Sequence, residues 1–282
     1  MVASRFLFAR AALAAGFLAS TGCSLVVKTD AEQCTADADC TARGPDFAGT
    51  VCLANVCQDK VDPKWGCIGH VEPLKAGSMV TVSLQIVDLL TAAPVHDVVV
   101  KLCSKYDPPC NSPLGMPEVT TDGFVSATIA SDFQGYFDVQ GPGYQQSLAF
   151  VDAIGSAEKT PVQLVPTGAA SGLAKGAGVT LDPMAGIVLS LTADCAYKAS
   201  AGVSVSIFPS ANETGFYVIA SGISPGATVT DSAGNAGFVN VAAGTPTLTA
   251  TRGPGGQEIG KVTTLVRAGA VTYQVLPPTP TP

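Results

Sequence analysis

From Trp65 onward, apolar and polar residues alternate with a period of two. "SMVTVSLQIVD" places Val80, Val82, Leu84 and Ile86 on one face of a strand. "GVSVSIF" does the same with Val203, Val205 and Ile207, and "GAVTYQVL" with Val271, Tyr273 and Val275. Between such segments lie clusters of Gly, Pro, Asn and Asp, among them "GPGYQ", "DSAGN" and "RGPGGQ", which read as turns. Sustained helical spacing is absent. The pattern predicts an all-β chain built of sandwiches, and the roughly 215 residues after Asp62 suit two domains of ordinary size. The single Trp, Trp65, is expected to pack where the two meet.

Residues 24–63 differ. "QCTADADCTARGPDFAGTVCLANVCQ" has few large apolar residues and cannot build a core, so disulfides must hold it. Zinc is the competing reading of Cys34, Cys40, Cys52 and Cys57, but zinc pairs usually sit two to four residues apart and the first pair here is wider. Asp37 and Asp39 invite calcium, yet the flanks supply few further oxygens.

The apolar run from Ala11 to Gly22 is about 12 residues, short of the roughly 20 that a spanning helix needs. Arg5 and Arg10 precede it without a compensating acid, the arrangement of a secretory signal peptide. The stretch Ala19-Ser20-Thr21-Gly22-Cys23 resembles the processing box of bacterial lipoproteins, in which small residues precede a cysteine that is lipidated through its thiol. The resemblance implies cleavage between Gly22 and Cys23 and diacylation of Cys23, with palmitate-like chains anchoring the protein. Ser24 follows where an inner-membrane retention signal would have Asp, which implies the outer membrane. An uncleaved anchor, or a plain signal peptide whose Cys23 enters a disulfide, remain the alternatives.

Without residues 1–22 the chain holds 13 basic residues (15 less Arg5 and Arg10) against 22 acidic ones, a net charge of −9. That excludes nucleic acid as a natural partner, because cationic contacts to phosphate dominate such binding. If Cys23 carries lipid, Cys34, Cys40, Cys52, Cys57, Cys67, Cys103, Cys110 and Cys195 remain, an even set suited to four disulfides in an exported protein. Cys103 and Cys110 flank "SKYDPP" and are expected to close that loop, for a gain of about 2–3 kcal/mol. Cys67 and Cys195 are then left to bridge the two sandwiches if the first four pair among themselves.

The strand region repeats. "IVD" ending at Asp88, then "APVHDVVVKL" and "QGYFDV", is echoed by "TAD" at Asp194, "AGVSVSI" and "AGFVNV", at offsets of about 102–106 residues that suit tandem domains. The second copy resembles the carboxypeptidase regulatory-like domain, a transthyretin-like sandwich. The residues that carry this are Val203 and Val205, then Thr230, Asp231 and Gly234, and finally Phe238, Gly244 and Thr247–Thr249. The resemblance implies two tandem Ig-like or transthyretin-like β-sandwiches preceded by a small disulfide-rich module. Asp231 would bond its own downstream backbone, Gly234 would take positive φ and Phe238 would plug the core, all structural roles. The divisions expected are 1–22 signal peptide, 23–63 anchor and cysteine-rich module, 64–169 first sandwich, 170–277 second sandwich and 278–282 an extended Pro-rich tail.

Reaction chemistry leaves no mark. His70 and His96 are the two histidines and neither has a second ligand at metal spacing. "GVSVS" lacks the closing Gly of a nucleophile elbow, and "GPGG" at 253–256 lacks the Lys and helix that phosphate binding requires. No catalytic residue, metal or cofactor is therefore expected. The chain reads as a non-enzymatic lipoprotein of the cell envelope, presenting loops to a polysaccharide, peptidoglycan or another envelope protein. The alternative is a carrier holding a small ligand in a cleft between the sandwiches.

Overall fold

The structure is a computed structural model that describes residues 32–53, 55–59, 62–72, 77–150 and 160–279. Its internal contacts divide the chain into a unit ending at Lys60 and a unit beginning at Val61. The fold is all-β: two tandem Ig-like sandwiches preceded by a small disulfide-rich module.

The small unit holds a short helix α1 (Asp37–Thr41), a 3-10 turn (Pro45–Phe47) and a hairpin of β1 (Thr50–Leu53) and β2 (Val56–Asp59). Disulfides Cys34–Cys52 and Cys40–Cys57 cross it, and Cys34 and Cys40 are themselves buried. The two acids of "ADAD" serve the loop backbone. Asp39 accepts hydrogen bonds from the Thr35 and Ala36 amides and the Thr35 hydroxyl, and the Thr35 amide above all holds its carboxyl below the ordinary value. Asp37 accepts from the Cys52 amide.

In the larger unit, the first sandwich comprises β3 (Met79–Asp88), β4 (Val99–Ser104), β5 (Phe124–Ala130), β6 (Gly135–Gln140), β7 (Ser147–Phe150) and β8 (Thr160–Leu164). The second follows a short helix α2 (Ala170–Gly176) and comprises β9 (Gly186–Thr192), β10 (Val203–Phe208), β11 (Thr214–Ile219), β12 (Gly222–Ser224), β13 (Asn235–Val241), β14 (Thr247–Arg252), β15 (Glu258–Thr263) and β16 (Val271–Leu276). Each sandwich has one three-stranded outer sheet, ordered β5-β3-β8 in the first and β10-β14-β15 in the second. Their other sheets fuse into one eight-stranded sheet, β12-β11-β13-β9-β16-β7-β6-β4, because β16 runs parallel to both β9 and β7. Residues 64–169 and 170–277 are thus halves of one unit rather than beads on a string.

The outer sheets lie on opposite faces of the shared sheet. On β9, Ile187 and Leu189 join the core that contains Leu84, Ile86, Val125 and Val162 of the first sandwich, whereas Val188 joins Val203, Ile207 and Leu248 of the second. The shared strands are therefore buried on both sides and lose the alternation of a half-exposed strand. In "VTYQVL" this buries Thr272 and Gln274 as well as Val271 and Tyr273. By contrast Val82, Leu84 and Ile86, like Val203, Val205 and Ile207, line one face as their spacing predicts.

Where a half of the shared sheet lacks an outer sheet, something smaller covers it. Helix α2, which no sequence period announces, buries Ala170, Leu173 and Ala174 in the first core, in one cluster with Ile187, Phe216 and Tyr273 from the second sandwich. Over β4, β6 and β7 the opposite face carries Tyr136, Leu148 and Phe150, covered by the Cys103–Cys110 disulfide and Leu265.

The remaining disulfide, Cys67–Cys195, fastens the segment leading into the first sandwich onto the loop after β9, and Trp65 beside it packs in the second core. The C-terminal residues depart from the extended, unpacked tail expected of them. Pro277 and Pro278 are buried, and the Thr279 amide donates to the Ile259 carbonyl at 3.2 Å, so the chain is packed to the end of the described residues.

Candidate functional site

The β16–β7 seam brings together residues about 130 positions apart in sequence. Asp138, on β6 in the first sandwich, is 1% exposed and pairs with Arg267 of the β15–β16 loop, Nη1 to Oδ2 at 2.8 Å. Gln146 donates to both Asp138 oxygens at 2.9 Å, and Gln140 donates to one at 3.1 Å. Arg267 also donates to the Pro108 carbonyl and the Tyr136 hydroxyl, with its guanidinium 5.3 Å from the Tyr136 ring centroid. The Tyr136 hydroxyl in turn donates toward the Asp107 and Pro108 carbonyls, at 3.0 and 2.9 Å. Burial raises the phenol's pKa, against the opposing pull of Arg267. This clasp fixes the disulfide loop of the first sandwich to the last loop of the second.

Beside the clasp opens a cleft of about 570 Å³, within the roughly 300–1,000 Å³ of small-molecule sites. Its floor is the shared sheet, where Gln274 on β16 stands directly across from Phe150 on β7. Val262, Thr263, Thr264 and Leu265, at the end of β15, form one wall together with Thr245. Lys105 and Tyr106 of the disulfide loop, with Phe133, Gln134 and the first β6 residue Gly135, form the other. The Lys105 ammonium stands 5.1 Å from the Tyr106 ring centroid.

Two residues bordering this cleft carry a polar atom that is shielded from solvent and has no hydrogen-bond partner among the described residues: Oε1 of Gln274 and Oγ1 of Thr264. The residues are 3% and 2% exposed. The Gln274 amide nitrogen is occupied, donating to the Val275 carbonyl at 2.7 Å. A buried acceptor left unpaired costs about 1–3 kcal/mol, and such groups are uncommon in native folds.

The residues singled out by sequence fall elsewhere. Gly22 and Cys23 lie outside the described residues. His70 and His96 are both exposed; His96 stands 3.7 Å from Asp97 and borders a separate hollow near Met116 and Glu118. Asp231 accepts from the Ala233 amide at 2.9 Å, Gly234 takes φ +68°, and Phe238 is buried in the second core. A bulge at Asn240 (φ +61°) puts Val241 on the Phe238 face while Val239 enters the first core.

Gln274, Thr264, Asp138 and Arg267 belong to no motif in the sequence. The available signal is the polar residue inside an otherwise apolar strand, as in "YFDVQ" and "VTYQVL", a pattern that fits a strand buried on both faces.

No family model matches the chain, and no curated protein matches it. Among solved structures, the Bacillus anthracis TIE protein is similar over 71% of this chain and 34% of its own, at 14% identity and a TM-score of 0.22. This chain thus spans about a third of that protein. A streptococcal ancillary pilin is similar over 71% and 68%, at 13% identity and a TM-score of 0.23. The shaft pilin SpaA from Lactobacillus rhamnosus GG is similar over 73% and 100%, also at 13% and 0.23. Likeness this slight carries no argument about function.

Proposed function

We propose that the chain is a lipid-anchored, non-enzymatic binding or structural protein of the bacterial cell envelope, held at the outer membrane by acylated Cys23. The single observation that supports this most is the cysteine pairing. The eight cysteines from Cys34 onward are all joined to one another, as befits an oxidising compartment, and Cys23 in the "ASTGC" box has no partner left among them. The test is incorporation of labelled palmitate into the wild type and into Cys23→Ala. Label in the wild type that is lost in the variant supports the anchor; an unlabelled wild type rejects it. Membrane fractionation of the same cells reads out the outer-membrane assignment.

The larger unit so anchored is joined through one continuous sheet. A fused sheet, a buried clasp and a disulfide across the junction suit a module that presents a fixed surface, and the transthyretin-like character of the second half is part of the same reading. A second reading, carriage of a small ligand, is favoured by one specific observation: the cleft of about 570 Å³ at the seam, lined in part by Phe150, Leu265 and Gln274.

A further inference from the structure

We infer that the cleft takes a short extended peptide, which adds as a strand to the open edge of β15. This rests on the small-ligand reading and gives that ligand a chemical class. Along β15, successive residues turn their backbone groups alternately toward β14 and away from it. Thr264 donates to the Pro246 carbonyl and Val266 exchanges bonds with Gly244, so the even-numbered residues face β14. Ile259, Lys261 and Thr263, with Leu265 beyond the strand end, face outward. Most of this outer row is already taken by the chain itself. The Ile259 carbonyl accepts from the Thr279 amide, and the Lys261 amide donates to the Thr279 hydroxyl at 3.3 Å. The Leu265 carbonyl accepts from the Thr272 hydroxyl at 2.6 Å. Between these stops, the amide and carbonyl of Thr263 have no partner among the described residues.

Thr263 stands on the cleft wall and, unlike Gln274 and Thr264, is an exposed residue. An extended peptide lying antiparallel along this edge meets both its free groups with the N–H and C=O of a single residue. A simple ion supplies only one of the two. The chain sets the precedent, since its own C-terminal residues already occupy the first half of the same edge. Strand alternation then fixes the side chains. The peptide residue opposite Thr263 shares the outer face with Thr263 and Thr247, whose hydroxyls are 3.2 Å apart, and calls for a small polar side chain. Its two neighbours turn to the face of Val262, toward the cleft floor at Phe150 and Leu265, and call for apolar ones. Tyr106, 80% exposed, stands at the far rim. The expected pattern is apolar, polar, apolar, and about 570 Å³ has room for roughly three such residues.

The test is titration of the full chain in detergent with three probes, followed by amide nuclear magnetic resonance. The probes are acetyl-Val-Thr-Val amide, the same peptide N-methylated at its Thr, and hexanol. The unmodified peptide is expected to bind and to shift the Thr263 amide downfield. N-methylation should weaken it roughly three- to tenfold, the value of one hydrogen bond. Thr263→Pro removes the outward N–H without touching a bond to β14, at an edge position where proline is tolerated. It should weaken the unmodified peptide by a similar factor and leave hexanol unaffected. Near-UV circular dichroism checks that this variant keeps the native fold; if it does not, the two peptides against the wild type decide alone. Equal binding of both peptides, an unmoved Thr263 amide, or indifference of a folded Thr263→Pro overturns the strand addition. Binding of hexanol but of neither peptide overturns the peptide class while the small-ligand reading stands. Failure of all three probes to bind overturns this proposal and counts against a small-ligand role as well.

Discussion

The two sandwiches of the larger unit are built on one plan, and their differences lie at the seam. In the first, β3 pairs antiparallel with β5 and parallel with β8; in the second, β9 pairs antiparallel with β13 and parallel with β16. The facing sheets β4-β6-β7 and β10-β14-β15 also correspond. This topology re-registers the internal repeat. "QGYFDV" on β6 matches not "AGFVNV" on β13 but β14, and the true counterpart of "VTDSAGNAGF" is "TTDGF" before β5. Geometry supports the match. Gly123 (φ +73°) and Gly234 (φ +68°) present their carbonyls to the Ile86 and Thr192 amides at the same point of β3 and β9. "GPG" recurs at 141–143 and 253–255 after β6 and β14.

Equivalent strands met different fates. β8 closes an outer sheet, whereas its equivalent β16 is inserted between β9 and β7 and welds the halves. The weld creates two half-sheets with a bare face, and each half solved this differently: α2 on one side, the Cys103–Cys110 loop on the other.

The sharpest way to break the weld is at its clasp. Arg267→Met leaves Asp138 charged and buried, and should cost about 3–5 kcal/mol. At roughly 2–4 °C per kcal/mol for a domain of this size, calorimetry should show a fall of about 10 °C. Adding Asp138→Leu should recover most of it, because the orphaned charge is then gone. If the double variant is no better than the single, the clasp is doing more than neutralising a charge.

Removing the Cys67–Cys195 bridge with paired serines should cost about 2–4 kcal/mol in chemical denaturation, because it closes a long loop. The loss belongs to the second sandwich, where Trp65 is packed, so Trp fluorescence should report it directly.

The re-registered repeat is tested by Gly123→Ala beside Gly234→Ala. Both need positive φ, and an added Cβ would meet the Ile86 oxygen at 2.6 Å in one case and the Thr192 oxygen at 2.7 Å in the other. Each should lose about 1–3 kcal/mol, and the two losses should be similar. Markedly unequal losses would break the equivalence.

The smallest effect concerns Asp88 and acid. Its carboxyl is held below its ordinary value, first by the Thr91 amide, with the Leu90 amide and the Tyr144 hydroxyl also donating to it. A lowered carboxylate adds stability above its unfolded pKa, near 3.8, and that contribution disappears as pH falls through the folded value. Asp88→Asn should therefore lower the midpoint slightly at neutral pH, and the gap to the wild type should close as pH falls below about 3.8. Its counterpart Asp194 accepts from the Ala196 and Lys198 amides at the matching position of the second sandwich.

How legible this was depended on the neighbourhood of each strand. Val82, Leu84 and Ile86 face one core and have a solvent side, so period two reveals them. Gln274, at 3% exposure, sits in a strand with cores on both faces, where period two is lost and a polar residue looks like a surface one. Helix α2 is seven residues long, too short to establish a helical period, and its alanines and glycines are not a distinctive helix signal.

By itself, then, the sequence determined the local matters: an all-β chain, its turns at Asp231-Gly234, the strand faces of each outer sheet and a module with too little apolar surface to stand without disulfides. These follow from backbone conformation and near-neighbour spacing. Only the tertiary structure decided which edge β16 would join, and with it the fused sheet, the Asp138–Arg267 clasp and the cleft floored by Gln274 and Phe150. Edge pairing joins backbone groups that any strand carries, so the choice of partner is made by burial summed over both faces. That sum exists only when the whole chain is folded.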